Sequence, residues 1–429
     1  MPDLSAVRHD VPDPFGAATL GPVTLRNRVI KAATFEGMSP KGLVTEALIG
    51  FHRAVSAGGV GMSTVAYCAV SPDGRGAPNE LIMRSEAVPG LRRLTDVIHA
   101  EGAAAQAQLG HAGPVAAGLG IPALTPSRLF SPLAMRFTRA ATEDDLAGVI
   151  RAFAAAGRVA ADGGFDAVEL HFGHHYLVSA FHSPKWNRRR DRWGGSLENR
   201  ARLGREIARA VRDAVGDRLA VTAKLNMVDG VPGGLWLEES VAIARLLESD
   251  GALDALELTG GGSFGNPMYL FRGEAPRREM AAIMKPPASW GFRLLGARLL
   301  PEYPFEEAYF LPYARQFRAA LTMPLVLLGG INRIDTIHRG MDEGFEFVAM
   351  GRALLRQPDL IARFQAGRAH DSLCIHCNKC MPTIYTGTHC VLVDPADRPG
   401  HPVRRPVAAP AGVAGGGGAD PAADLPNRA

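Results

Sequence analysis

Ala167-Val168-Glu169-Leu170-His171 is a short, mostly apolar run with an amphipathic segment before it (143–162) and another after it (197–215). Runs of the same kind recur at 28–34, 61–70, 103–109, 219–225, 255–258, 325–328 and 347–350, which makes eight. Runs that are apolar throughout and are followed by helices suit parallel strands buried on both faces. Eight strand–helix units predict an α/β fold, a (β/α)8 TIM barrel, with an open doubly wound sheet as the alternative. Helix starts support this division. Thr142 precedes Glu143, Asp144 and Asp145, a cap followed by acids that suit the helix dipole, and Ser196 opens the next long helix.

Working outward, residues 261–312 are too many for an ordinary βα loop. They are rich in proline and aromatics and follow the sixth strand, so they are expected to cover the barrel mouth as a long lid insertion. The predicted division is a barrel over 1–366, a short Cys-rich C-terminal extension over 367–393, and a disordered tail over 394–429. That tail is rich in Pro, Ala and Gly and has little apolar surface to bury. A formal net charge of +4 on 429 residues gives no reason to expect nucleic acid or a membrane surface as partner. No apolar run approaches the ~20 residues of a spanning helix, and residues 1–14 do not read as a secretory signal. A cytoplasmic protein is expected; its oligomeric state is left open.

The chemistry is concentrated at Glu169-Leu170-His171-Phe172-Gly173-His174-His175-Tyr176-Leu177. In a barrel, the C-terminal ends of the strands face the active site. His171 and His174 can donate hydrogen bonds to a substrate oxygen, and Tyr176, a phenol with an ordinary pKa near ~10, can give up a proton. Taken alone, the segment also suits a pair of metal-ligand histidines or histidines satisfied in a core. His175 is given no role beyond packing, and Cys68 is read as a small buried hydrophobe.

Other strand ends carry further motifs. Leu25-Arg26-Asn27-Arg28-Val29 precedes the first strand, and Gln108-Leu109-Gly110-His111-Ala112-Gly113 ends the third. Ser183-Pro184-Lys185-Trp186-Asn187-Arg188-Arg189 and Asp191-Arg192-Trp193-Gly194-Gly195-Ser196-Leu197-Glu198-Asn199-Arg200 follow the histidines, and the stretch from Asn187 to Arg200 is read as structural. Gly329-Gly330-Ile331 ends the seventh strand and Met350-Gly351-Arg352 the eighth. As a set, from about residue 14 to 364, these motifs resemble the Old Yellow Enzyme family of NADH:flavin oxidoreductases.

The resemblance implies an FMN across the barrel mouth. Its phosphate would meet backbone N–H groups at Gly329, Gly330 and Gly351, with Arg352 as counter-charge. Barrel geometry places a phosphate site at the same strands. Ala33, Thr34 and Ala66 would touch the flavin ring, Gln108 its pyrimidine edge, and Lys224, where many members have arginine, its N1 and O2 side. His171, also counted as a flavin contact, and His174 would grip a substrate carbonyl. NADH or NADPH would reduce the flavin, hydride would pass to a conjugated alkene, and Tyr176 would protonate the neighbouring carbon. The implied activity is an ene-reductase acting on a carbonyl-activated small molecule. An alternative is a flavin/iron–sulfur dehydrogenase or N-demethylase passing electrons to a separate electron-transfer protein. A non-catalytic flavin- or metal-binding protein is a third reading, against which the intact H-x-x-H-x-Y pattern argues. Tyr269, Phe271, Arg272, Trp290 and Tyr303 of the lid are expected to shape specificity.

Cys374, Cys377, Cys380 and Cys390 read C-x2-C-x2-C-x9-C. Four thiols at such spacing suit a zinc site or an iron–sulfur cluster. Members of the 2,4-dienoyl-CoA reductase and trimethylamine dehydrogenase kind, which the chain resembles, carry a [4Fe–4S] cluster here. They have one more residue before the third cysteine, a longer gap before the fourth, and a nucleotide-binding module beyond. Gly415–Gly418 follows no strand and is not a dinucleotide fingerprint.

Overall fold

A computed structural model describes residues 11–400 except 117–121, 132–135, 264 and 285. All eight expected runs are strands: β1 (Val29–Lys31), β2 (Met62–Ala69), β3 (Ala104–Gly110), β4 (Ala167–Phe172), β5 (Ala220–Asn226), β6 (Ala255–Thr259), β7 (Leu325–Leu328) and β8 (Phe347–Met350). Each pairs in parallel with its neighbours. The sheet closes because β1 pairs with both β8 (Val29 beside Val348) and β2 (Ile30 beside Met62). Closure excludes the open doubly wound alternative.

Around the strands lie α1 (Glu46–Ala57), α2 (Val88–Ala100), α3 (Glu143–Asp162), α4 (Leu197–Val215), α5 (Leu237–Ser249), α6 (Leu311–Ala320), α7 (Ile334–Asp342) and α8 (Leu360–Gln365). The caps expected from the sequence are in place. Thr142 and Asp145 form a reciprocal capping box on α3, and Ser196 accepts from the Asn199 N–H on α4. Between β4 and α4, Asn187 donates its amide to the carbonyls of Phe181 and Trp193, the structural role expected of that stretch.

The N-terminal end of the barrel is plugged by an antiparallel hairpin, Ala18–Leu20 with Val23–Leu25. Leu20 and Leu25 pack against the first residues of β4, β5 and β6 (Ala167, Ala220, Ala255). Small side chains at those positions leave room for the plug. The interior above it is polar. Thr64 donates to Gln106 at 2.8 Å, and Gln106 donates to Thr222 at 3.0 Å. That layer supports the open, C-terminal face.

The 261–312 insertion is more structured than a loop. It contains the helices Pro267–Phe271, Arg277–Ile283 and Ala288–Leu299. Met268, Ala281, Phe292 and Leu300 form a small core of their own, with Met381 of the extension packed against it. Trp290 is 65% exposed and faces solvent. The ordered chain runs past the expected boundary at 394: Asp394 caps a short turn at Pro395–Asp397, and Gly400 lies against Ala47. Residues 401–429, which hold most of the expected tail, and 1–10 lie outside the described residues. Among those described, no helix is long and apolar enough to cross a membrane.

Candidate active site

The catalytic candidates converge because of the turn at the end of β4. After Phe172 the chain passes through Gly173, where an added Cβ would sit 3.0 Å from Thr259 Cγ2 and 3.2 Å from Asn226 Oδ1. His174 (φ 59°) and His175 (φ 61°) are then both left-handed, a costly pair for non-glycine residues. This double turn folds Tyr176 back over the strand end. The His171 ring centroid lies 4.4 Å from Tyr176 and 5.0 Å from His174. The Asn226 side chain accepts from the His174 N–H at 3.0 Å, and His174 Nε2 meets Thr259 Oγ1 at 2.9 Å, fixing one ring nitrogen. His171 is buried and its Nδ1 has no partner.

Burial lowers the pKa of both histidines well below the ordinary value. His174 and Lys224 add to this for His171, and Lys224 and His175 for His174. Both are neutral imidazoles near pH 7, able to donate one N–H each without acting as acids. Burial raises the Tyr176 phenol, so it keeps its proton until a strongly basic centre takes it. His175 packs instead: its ring meets Trp186 edge-on at 5.4 Å, and Nε2 lies 3.4 Å from Asp229 Oδ1.

Gln108 and Lys224 face the same interior, one strand to either side of Glu169. Gln108 donates to Glu169 Oε2 at 2.6 Å, and Lys224 Nζ lies 3.0 Å from the same oxygen and 2.9 Å from Glu257 Oε1. Burial opposes the Lys224 charge, but the two carboxylates outweigh it and raise its pKa. Burial, with Glu169 beside it, raises Glu257. The cation expected at the flavin edge is therefore largely balanced within the protein. Glu169 and Glu257 were not singled out from the sequence. The available signal was their period: Glu169 stands two residues before His171, hence on the same face of β4.

Thr34 and Ala66 are gathered by Glu36, also unforeseen, and Ala33 packs against the cluster that contains Ala66. The Glu36 carboxylate accepts from Lys31 Nζ at 2.5 Å, Thr34 Oγ1 at 3.0 Å and the Ala66 N–H at 2.6 Å. Burial alone would raise this acid, but Lys31 and His52 hold it down to about 2. Tyr67, next to Ala66, adds a further wall, with ring centroids 5.2 Å from Tyr176 and 6.2 Å from His171.

On the opposite rim, Gly329 (φ 107°) and Gly330 (φ 73°) adopt left-handed backbone closed to side chains; a Cβ on Gly330 would lie 2.6 Å from Tyr309 Cδ1. Gly351 caps the turn that begins at Arg352. Among the described residues, Arg352 has no carboxylate within 4.0 Å; it donates to the Arg272 carbonyl and to Asn378. Two side-chain-free glycines beside a cation lacking an acid fit a phosphate, and the buried, partnerless His171 Nδ1 fits a ligand above the barrel mouth. The residues fit FMN.

The four cysteines of the extension lie near enough to act on one another's thiols. Among the described residues, no three His, Cys, Asp or Glu side chains are gathered to hold a metal ion. The extension spends its polar groups on docking to the lid. His376 stacks on Phe305 at 3.4 Å, and Asn378 donates to the carbonyls of Arg272 and Glu274. Cys374, Cys377, Cys380 and Cys390 are free thiols; burial, with the other three nearby, pushes Cys380 up to about 12. Neither the zinc nor the [4Fe–4S] expectation finds a metal-holding group here, and no step below passes through a metal.

The NADH:flavin oxidoreductase / NADH oxidase family matches residues 14–254. The chain is 57% identical over 385 residues to 4,4'-dithiodibutanoate disulfide reductase of Rhodococcus erythropolis, covering 89% of this chain and 96% of that protein. It is 31% identical to a metal reductase of Desulforamulus reducens, covering 86% of this chain and 52% of that protein, so it spans about half the latter's length. Among solved structures, a 2-naphthoyl-CoA reductase is similar at a TM-score of 0.71 and 25% identity, over 83% of this chain and 52% of that one. Morphinone reductase shares the fold at a TM-score of 0.65 and 23% identity, over 84% and 92%. The chain belongs to the NADH:flavin oxidoreductase / NADH oxidase family, as its motifs implied, and is an NAD(P)H-linked flavin oxidoreductase.

Proposed function

We propose that this member of the family reduces a small, carbonyl-activated alkene at the barrel mouth. The observation that carries the reading is the convergence of His171, His174 and Tyr176 within one ring-to-ring layer. Gly329, Gly330, Gly351 and Arg352, with Gln108 and Lys224, would hold FMN, which would supply the hydride carrier between NAD(P)H and the acceptor. The protein does the rest. His171 and His174 hold the acceptor's carbonyl oxygen with neutral N–H donors and stabilise the charge that builds there. Tyr176 gives its proton to the carbon next to the carbonyl. Tyr67 and Tyr176 exclude water on one side.

A second acceptor class is favoured by the 57% identity to a protein named for a disulfide. For a disulfide, hydride cleaves the S–S bond, one thiol forms, and Tyr176 protonates the departing thiolate. The same residues serve both, so an anaerobic spectrum decides between them. NADPH or NADH should bleach the flavin, and a conjugated enone should restore its colour with formation of the saturated ketone. Restoration by a dialkyl disulfide alone, with two thiols released, would replace the alkene reading with the disulfide one. A protein that binds no FMN would overturn both.

A further inference from the structure

Arg272 follows the helix Pro267–Phe271 in the segment that covers the barrel mouth. Its φ of 40° is left-handed, a conformation that disfavours a non-glycine residue. The guanidinium lies over three rings, 5.1 Å from Tyr309, 5.2 Å from Tyr269 and 5.8 Å from Tyr303. Ring faces hold a cation but leave the N–H donors in the guanidinium plane unused, and Arg272 Nε is buried without a partner. Among the described residues, no carboxylate lies within 4.0 Å of Arg272. Two acids of the same segment are engaged elsewhere, Glu302 with Arg277 and Glu279 with Lys379.

The position links both halves of the site. Tyr309 covers Gly329 and Gly330, and both Arg352 and Arg272 act on its phenol. On the other side, Asn266 donates to the Tyr303 hydroxyl at 2.7 Å, and Gly262 of the same loop bridges to His174. A cation held by three tyrosines, with a buried N–H unspent, is built for an oxyanion that the protein itself does not provide.

We infer that Arg272 is an anion-binding residue of this site, taking a phosphate or carboxylate oxygen of a ligand in the barrel mouth. The inference deepens the reading above and rests on it. The ligand group is either the flavin phosphate, on the Gly330 side, or a carboxylate of the acceptor, on the His174 side.

The test uses the yellow holoenzyme with Arg272→Met, which keeps the apolar stem, and Arg272→Lys, which keeps the charge. Two quantities are read: FMN retention on dilution, and KM for a carboxylate-bearing enone against its methyl ester. Loss of a charge-assisted hydrogen bond weakens binding about tenfold to a hundredfold. If the group is the acceptor's carboxylate, Arg272→Met raises KM for the acid by that factor and leaves the ester unchanged. If it is the flavin phosphate, FMN dissociation rises instead and the acid and ester move together. Arg272→Lys should recover part of either effect. A variant that keeps FMN and treats acid and ester as the wild type does overturns the inference alone, whereas a protein that holds no flavin overturns the reading beneath it.

Discussion

The His171 imidazole and the Tyr176 phenol stand with ring centroids 4.4 Å apart, although a strand end and two left-handed residues separate them in sequence. This spacing lets one side chain hold an oxygen while the other supplies a proton to an atom bonded nearby. His171→Ala should therefore weaken binding of a phenol that mimics the acceptor oxygen by about tenfold, the worth of one hydrogen bond to a charged oxygen. Titration of the flavin charge-transfer band measures it, and unchanged affinity would remove His171 from the oxygen site.

Gly330→Ala should strip FMN from the protein while the barrel still folds. Its φ of 73° disfavours a side chain, and the new methyl would fall 2.6 Å from Tyr309 and 2.8 Å from the Glu306 carbonyl. Flavin content per chain after purification is the readout, with circular dichroism to confirm the fold. Full flavin occupancy would contradict the phosphate assignment.

Glu36→Gln should destabilise the protein by about 3 kcal/mol, because it leaves the Lys31 charge buried and unmatched. The sign with pH is set by the direction of the shift. Glu36 is held down to about 2, so its contribution is present above the ordinary carboxylate range and lost as pH falls toward about 2. Denaturant midpoints at pH 7 should show the loss, and the variant should lose less than the wild type on acidification.

Glu80 titrates the other way. Its side chain is buried, accepts from the Gly76 N–H at 2.6 Å, and leaves Oε1 without a partner. Burial raises it to about 8, with the Gly76 and Ala77 N–H groups and then Arg75 only partly opposing. The folded state thus binds more protons than the unfolded between about 4.5 and about 8, so stability falls as pH rises through that window, by up to about 1.4 kcal/mol per pH unit. Glu80→Gln should flatten this slope in thermal melts taken across the window. An identical slope in the variant would show that Glu80 is not the group responsible.

The barrel was legible because each strand is a short apolar run between amphipathic helices, and buried parallel strands leave that trace. The site was legible where chemistry falls on consecutive residues, as in His171 to Tyr176, or on glycines at strand ends. It was not legible where partners meet only in space. Glu36 reaches the Ala66 N–H across 30 positions, and Lys224 finds its two carboxylates on neighbouring strands. Period-two spacing within β4, β5 and β6 was the usable clue for Glu169, Asn226 and Thr259. Within the lid, the sequence did not tell which aromatic packs: Trp290 faces solvent, whereas its own helix turns Phe292 inward. The docking of the extension was not legible either: His376 and Asn378, between the thiols, meet the lid only in space.

The most direct test is Tyr176→Phe, with the two half-reactions measured separately by anaerobic stopped flow. Reduction of the flavin by NAD(P)H should proceed at the wild-type rate, because no proton is needed from the phenol. Reoxidation by the enone should slow by about 100-fold to 10,000-fold, the usual worth of a positioned proton donor. Equal slowing of both half-reactions, or of neither, would contradict the role assigned to Tyr176.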